Sequence, residues 1–151
     1  MARRIAFALA LVTLVSGCGG SDDIVDPLLG KVDEARDAQA LSSLQQAQTA
    51  AALVRTESGG TFGTGAEDLA QRLQARDPSK RFTTGPSNGP EQIQVLGGGG
   101  AALLVARGQS QSYVAVWDDG NGSPMYYHGA QPPEFSAQRP AGGGWTAQPL
   151  R

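Results

Sequence analysis

The sequence predicts an α+β fold in which a long N-terminal helix packs on an antiparallel β-meander of three or four strands. The helix is predicted because residues 32–55 contain neither glycine nor proline and are rich in alanine, leucine, glutamine and arginine. The meander is predicted because short β-like runs, separated by turn residues, follow one another in the second half of the chain. These runs are residues 92–96, 101–106, 113–117 and 125–128.

The predicted long helix carries an apolar stripe on one face. Its apolar residues recur at three- and four-residue spacing, which places them on one side of a helix: Leu41, Leu44, Ala47, Ala51 and Val54. Because alanine is frequent on the stripe, the element that packs there can approach closely. We expect the helix to end at residues 58–60, where glycine can adopt the left-handed conformation of a helix C-terminus.

A second, shorter helix is predicted to follow. Residues 64–67 have the form of a capping box, in which the Thr64 side chain caps the helix and Glu67 reaches back. Three apolar residues should share one face of this helix: Leu69, Ala70 and Leu73. We expect the helix to end before Pro78, because the residue that precedes a proline avoids helical geometry.

The second half of the chain alternates between strand and turn chemistry. In residues 113–117, aromatic residues and alanine alternate with valines, so both faces of this strand are apolar and one can pack on the helix. The glycines at 97–100 are interpreted as a hairpin turn, since a phosphate-binding loop needs a Gly-Lys-Ser/Thr ending and a following helix. Residues 130–151 are rich in proline and glycine, and they predict an extended, poorly ordered tail in which Trp145 docks back.

The N-terminus has the pattern of a secretory signal. Arg3 and Arg4 precede an apolar run at residues 5–15, and a Val-Ser-Gly-Cys tetrad then ends at Cys18. The apolar run is shorter than the roughly 20 residues that a membrane-spanning helix needs. Cys18 is the only cysteine, so the chain cannot form an internal disulfide.

The Val-Ser-Gly-Cys tetrad resembles the lipobox of bacterial lipoproteins. The resemblance implies that Cys18 becomes the first mature residue, carries a diacylglycerol on its sulfur and anchors the protein at the extracytoplasmic face of the cell membrane. The chain is then divided into a signal peptide, a lipidated tether, an α+β domain and a Pro/Gly-rich tail, at residues 1–17, 18–31, 32–129 and 130–151. The alternative is ordinary secretion, with cleavage nearby and an unpaired thiol at Cys18.

Composition argues against several classes of function. Without Arg3 and Arg4 the chain has ten basic and fourteen acidic residues, and the basic residues are scattered, so nucleic-acid binding is not expected. His128 is the only histidine, so one chain cannot form a histidine pair or a catalytic triad. Residues 118–123 lack the spacing of a calcium loop and are interpreted as a turn. We therefore predict no catalytic residue, metal site, cofactor or enzyme activity.

Aromatic residues in the second half are the remaining candidates for a binding site. Four of them lie on the two predicted strands that flank the turn at 118–123: Tyr113, Trp117, Tyr126 and Tyr127. Cross-strand aromatic pairs stabilise hairpins, so packing within the sheet is one interpretation. The other is a surface that binds a partner protein or a glycan.

Two passages of the sequence are similar to the globular part of bacterial type IV pilins and of the pseudopilins of type II secretion. Residues 47–73 look like the pilin passage from an alanine-rich helix end, through a Glu-Ser-Gly-Gly-Thr-Phe corner, into a short leucine-bearing helix. Residues 111–127 look like the final pilin hairpin. The resemblance covers about residues 32–128 and implies a pilin-like fold. It differs from pilins at the N-terminus, where a lipobox replaces the basic leader and the Phe-Thr-Leu-Ile-Glu segment.

Together these features predict a non-enzymatic lipoprotein of the cell envelope, held in the membrane by Cys18, whose domain acts by protein–protein contact. The resemblance implies a pilus, a secretion apparatus or another envelope component as the partner. The alternative is a lipid-anchored module that binds a small ligand or a glycan on the aromatic face of its sheet.

Overall fold

The computed structural model describes residues 25–108 and 112–150, with side chains from residue 35 onward. Two helices, α1 (Val25–Glu57) and α2 (Ala66–Arg76), pack on one side of a single sheet. The strands lie in the sheet in the same order as in the chain. They are β1 (Arg81–Thr83), β2 (Gln92–Gly98), β3 (Ala101–Arg107), β4 (Tyr113–Asp118), β5 (Met125–Gly129) and β6 (Trp145–Thr146).

The predicted fold class, a pilin-like long helix on a three- or four-stranded meander, is wrong. The described sheet has six strands, and its first pair is parallel, with Phe82 of β1 beside Ile93 of β2. The two unforeseen strands have three and two residues, too few for a period-two pattern to appear in the sequence. The packing of the helix is described only for residues 35–57, so a long N-terminal helix packed along its whole length has no support.

Helix α1 packs on the sheet through small residues. Its buried positions recur at helical spacing and comprise Ala40, Ser43, Leu44, Ala47, Ala50, Ala51 and Val54. Leu41, which the stripe predicts to be inside, is only half-buried, at the edge of the contact. Because alanine side chains are short, the helix backbone lies close to β3 and β4, its main contacts in the sheet.

Two buried serines differ in how their hydroxyls are satisfied. Ser87 accepts a hydrogen bond from the Arg107 amide (3.0 Å) and donates within its own loop. The Ser43 hydroxyl is buried and has no hydrogen-bond partner among the described residues. A buried hydroxyl without a partner loses its water and gains nothing in return.

We expect Ser43→Ala to raise the free energy of unfolding by about 1 kcal/mol, since it removes an unsatisfied hydroxyl with almost no change in volume. Urea unfolding followed by circular dichroism measures the change. Ser42→Ala is the matched control, because Ser42 is exposed and should alter stability by less than about 0.5 kcal/mol. A loss of stability in Ser43→Ala would show that the hydroxyl has a partner.

The N-terminus of α2 is held by Asp68, one residue later than the predicted capping box. Gly65 is the N-cap residue and supplies no side-chain cap, so the prediction that Thr64 and Glu67 form the box is wrong. Instead, the Thr64 amide donates to Asp68 Oδ2 at 2.9 Å, and Arg72 Nε donates to Asp68 Oδ1 at 2.8 Å. The hydrogen bond from Arg72, followed by that from the Thr64 amide, lowers the pKa of the Asp68 carboxyl.

The lowered pKa gives Asp68 a pH-dependent role. Its contribution to stability is present above the usual aspartate pKa of about 3.9 and is lost as the pH falls through the lower folded-state value. We expect Asp68→Asn to lower the unfolding temperature at pH 7, and this difference from the wild type to disappear near pH 2. Thermal unfolding across that range tests it, with Glu67→Gln as the control. A difference that persists unchanged at pH 2 would contradict the assignment.

Both faces of the sheet are buried. The helix face carries the larger core, in which Ile93, Val95, Leu104, Val114 and Val116 pack under the helices. The outer face carries a second cluster: Leu103, Val105, Ala115, Trp117, Met125 and Tyr127. Residues 130–150, here termed the C-terminal segment, contact this outer face at Trp117 and Tyr127 and then join the sheet as β6. The sheet therefore has the helices on one face and part of the C-terminal segment on the other.

The β2–β3 hairpin is fixed to the connection between the helices. The Phe62 amide donates to the Gly99 carbonyl, and the Gly99 amide donates to the Gly63 carbonyl, both at 2.8 Å. Two backbones therefore approach each other directly, without side chains between them. The turn predicted at 97–100 comprises Gly99 and Gly100 only, because Gly97 and Gly98 are the last residues of β2.

Candidate functional site

An open groove lies where α1 meets the end of the sheet. It has a volume of about 460 Å³. Helix α1 forms one wall, β4 and β5 form the floor, and the last described residue closes one side. Its lining residues are Asp37, Ala38, Leu41, Ser42, Gln45, Val114, His128 and Leu150. We name it the α1–β5 groove.

The lining of the α1–β5 groove is apolar inside and polar at the rim. Leu41, Val114 and Leu150 supply aliphatic surface from three separate elements. The Ser112 hydroxyl donates to Asp37 Oδ1 at 2.8 Å, which fixes α1 to the residue preceding β4. Volumes of roughly 300–1,000 Å³ with a few polar groups around an apolar lining are typical of binding sites. The groove can therefore accept aliphatic or aromatic side chains whose polar ends reach the rim.

His128 lies at the rim of the groove. It is opposite Val114 in the β4–β5 ladder, and strand alternation places it on the same side of the sheet as Tyr126. Its side chain is exposed. Within residues 35–108 and 112–150, no group of three or more His, Cys, Asp or Glu side chains is arranged to hold a metal ion.

The four aromatic candidates do not share one surface. Tyr113, Trp117 and Tyr127 lie with the outer-face cluster, whereas Tyr126 packs against the helix-face core. There the Gln48 amide donates to the Tyr126 hydroxyl at 3.2 Å. Alternation along β5 explains the division, because adjacent residues of a strand point to opposite faces.

The C-terminal segment covers the aromatic residues of the outer face. The side chain of Trp117 is 1% exposed, and its Nε1 donates to the Ser136 carbonyl at 2.8 Å. The Tyr127 hydroxyl donates to the Gln131 carbonyl at 2.8 Å, and the Trp145 ring lies 5.3 Å from the Tyr127 ring. This face is a second hydrophobic core in the folded chain.

The turn at 118–123 uses its carboxylates internally. Asp118 Oδ1 accepts from the Gly120 amide at 2.6 Å, and Asp119 Oδ1 accepts from the Asn121 amide at 2.9 Å. The Arg55 guanidinium lies against Gly120 and 5.9 Å from the centre of the Phe62 ring. These contacts join the C-terminal end of α1 to the β4–β5 turn.

The residues that line the groove are not evident as a group from the sequence. The apolar stripe predicts that Leu41 is buried, and nothing in the local sequence indicates that Leu150 returns to α1, more than a hundred residues earlier.

No protein-family model, curated protein or solved structure matches this chain. Cys18, the signal peptide and the first part of the tether lie outside the described residues, so lipidation stays a prediction. In the described part of the chain, neither helix has the length and apolar character needed to cross a bilayer.

Proposed function

We propose that this protein is a lipid-anchored component of the bacterial cell envelope that acts by binding a partner protein in the α1–β5 groove. The lipobox-like tetrad at Cys18 supports the anchor. The observation that carries the contact is the apolar lining of an open groove, built by Leu41, Val114 and Leu150 and surrounded by polar groups. Function is non-catalytic in this proposal.

The anchor and the groove support the same mode of action. A thioether-linked diacylglycerol supplies two acyl chains, and two chains give stable membrane attachment where one gives only marginal binding. Attachment confines the domain to the membrane surface, which raises its effective concentration toward other envelope proteins. A shallow apolar groove of modest affinity is then sufficient for a lasting contact.

The groove is a better candidate than the aromatic sheet face. A ligand or glycan on the outer face would have to displace the C-terminal segment from Trp117 and Tyr127. The groove is open as it stands. The partner we propose is a protein of the envelope. We do not propose a pilus or secretion component, because that expectation depended mainly on the pilin-like fold, which the structure contradicts.

Leu41→Lys is the direct test of the contact. An apolar anchor at the centre of an interface contributes more than about 1.4 kcal/mol, so we expect the affinity for the partner to fall at least tenfold. Because Leu41 is half-buried at the surface, the substituted chain should remain folded. A photo-crosslinking residue at position 45 first identifies the partner, and binding of the purified pair is then measured.

Leu53→Lys is the matched control, because Leu53 is 50% exposed on the same helix but outside the groove. We expect it to bind the partner like the wild type. Equal losses in both variants, or a loss in neither, would contradict the proposed groove contact. The anchor is tested separately: the intact mass of membrane-extracted protein should show a diacylated chain beginning at Cys18, absent from Cys18→Ala.

A further inference from the structure

Strand β1 forms one edge of the described sheet and pairs only with β2. The Arg81 amide donates to the Glu91 carbonyl at 3.1 Å, so the backbone groups of Arg81 face β2. Because the backbone groups of successive strand residues face alternate sides, the Lys80 carbonyl and the Phe82 amide point away from the sheet. Unpaired N–H and C=O groups at such an edge are a template for another strand.

The side chain of Gln74, on α2, binds both of these backbone groups. Its Nε2 donates to the Lys80 carbonyl at 2.8 Å, and its Oε1 accepts from the Phe82 amide at 3.1 Å. One residue of a parallel strand on this side would make the same two hydrogen bonds through its own N–H and C=O groups. The carboxamide of Gln74 therefore occupies the place of one residue of a neighbouring strand.

The chemistry of a carboxamide suits this position. It carries an N–H donor and a C=O acceptor side by side, as a peptide group does. An ionised glutamate could only accept hydrogen bonds, and a lysine could only donate them. Helix α2 holds the side chain in place, because Leu73, the residue before Gln74, is fully buried in the core. The cap is therefore part of the packed structure.

An uncapped β1 edge would suit a second copy of this chain. Two β1 strands related by a two-fold axis would pair antiparallel, with Phe82 of one copy opposite Phe82 of the other. The Phe82 amides and carbonyls would bond to each other, and each Lys80 carbonyl would accept from the Thr84 amide of the other copy. Every hydrogen bond in this pairing uses a Lys80 carbonyl or a Phe82 amide, the two groups that Gln74 binds.

We infer that Gln74 closes the β1 edge and prevents two copies of this chain from joining their sheets there. The inference does not rest on the proposed function, since neither Gln74 nor β1 lines the α1–β5 groove. It does bear on an anchored protein, because confinement to a membrane raises the effective concentration of its copies toward one another.

The test compares Gln74→Leu and Gln74→Ala with the wild type, as full chains purified in detergent. Both variants remove the donor and the acceptor, and the alanine variant does so without adding apolar surface. Gln71→Leu is the matched control, because Gln71 is exposed on the same helix and lines no part of the β1 edge contact. Sedimentation velocity measures self-association, and hydrogen exchange measures protection of the Phe82 amide.

We expect the wild type and Gln71→Leu to be monomeric, and both Gln74 variants to dimerise with a dissociation constant at least tenfold lower. In dilute, monomeric protein the Phe82 amide should exchange at least tenfold faster in the Gln74 variants than in the wild type. Gln74 variants that remain as monomeric as the wild type, unchanged exchange at Phe82, or a wild type that is itself dimeric through β1 would overturn the inference.

A measurement on the wild type alone covers the case in which the Gln74 variants do not fold. The Phe82 amide, which is bonded to Gln74, should exchange at least tenfold more slowly than the Thr84 amide, for which the described residues supply no acceptor outside the sheet. Equal exchange at the two amides would mean that Gln74 does not cap the edge.

The register of the pairing is tested in cells that produce two differently tagged full chains, one with Arg81→Cys and one with Thr83→Cys, both also carrying Gln74→Leu. In the pairing centred on Phe82, these two positions lie opposite each other, with Cα atoms about 4.5 Å apart and within the range of a disulfide. After addition of an oxidant we expect disulfide-linked heterodimers with Gln74→Leu and none with Gln74 intact. Equal cross-linking in both backgrounds, or none in either, would contradict the pairing.

Discussion

Replacing Gly98 by alanine should lower the free energy of unfolding by about 2–6 kcal/mol, because backbone strain and overpacking each cost about 1–3 kcal/mol. Gly98 has a φ of +122°, which residues with a side chain rarely adopt. A β-carbon at this position would lie 2.5 Å from the Gly65 Cα and 2.6 Å from its carbonyl carbon. These neighbours are backbone atoms, so no side-chain rotation can relieve the contact.

The same turn supplies two matched controls. Gly99 also has a positive φ (+63°), but a β-carbon there would meet no atom within 4 Å, so Gly99→Ala should cost about 1–2 kcal/mol from strain alone. Gly100 has neither a positive φ nor a close neighbour, and its alanine variant should be within about 0.5 kcal/mol of the wild type. Urea unfolding of the three variants measures the series. Equal losses at all three positions would contradict the close approach at Gly98.

Trp117→Ala should lower the free energy of unfolding by about 3–5 kcal/mol, the range for removing a large aromatic side chain from a core. The indole is fully buried between the sheet and the C-terminal segment, and its N–H is bonded to the Ser136 carbonyl. Removal leaves a cavity and an unpaired carbonyl. The loss of near-ultraviolet circular dichroism and the shift of the urea midpoint measure the effect.

Two further variants separate the contribution of the Trp117 hydrogen bond from that of side-chain packing on the outer face. Trp117→Phe keeps most of the packing but removes the hydrogen-bond donor, so we expect a loss of about 1–2 kcal/mol. Trp145→Ala should also cost only about 1–2 kcal/mol, because Trp145 is half-buried. A Trp117→Ala variant as stable as the wild type would mean that the outer face is an open surface, as the alternative of a glycan- or ligand-binding face requires.

The elements with a clear local pattern could be predicted from the sequence. The β-like runs at 92–96, 101–106, 113–117 and 125–128 each lie within one strand of the structure. The three apolar residues predicted to share one face of the short helix are all buried: Leu69, Ala70 and Leu73. These elements are predictable because apolar periodicity and flanking turn residues are properties of residues that are close together in the sequence.

The features that could not be predicted depend on contacts between residues that are far apart in the sequence. Strand β1 is defined by its parallel pairing with β2, and β6 by a return of the chain to β5, and neither leaves a periodic trace in two or three residues. The groove has the same origin, since Leu41 and Leu150 are brought together only by the complete fold. The predicted capping box at α2 is wrong by one residue. Thr64 is followed by two adjacent carboxylates, Glu67 and Asp68, and either could reach back to it. Because the helix begins after Gly65, Asp68 is the residue that accepts the hydrogen bond from the Thr64 amide.

The position of the C-terminal segment has a consequence for the chain while it is being synthesised. The strands that carry Trp117 and Tyr127 leave the ribosome before residues 130–150, which contact both side chains on the outer face. Until those residues follow, a growing chain holds a broad apolar face toward water. Chains that terminate early, or that are cleaved after β5, should therefore aggregate or be degraded, although every strand from β1 to β5 is present in them.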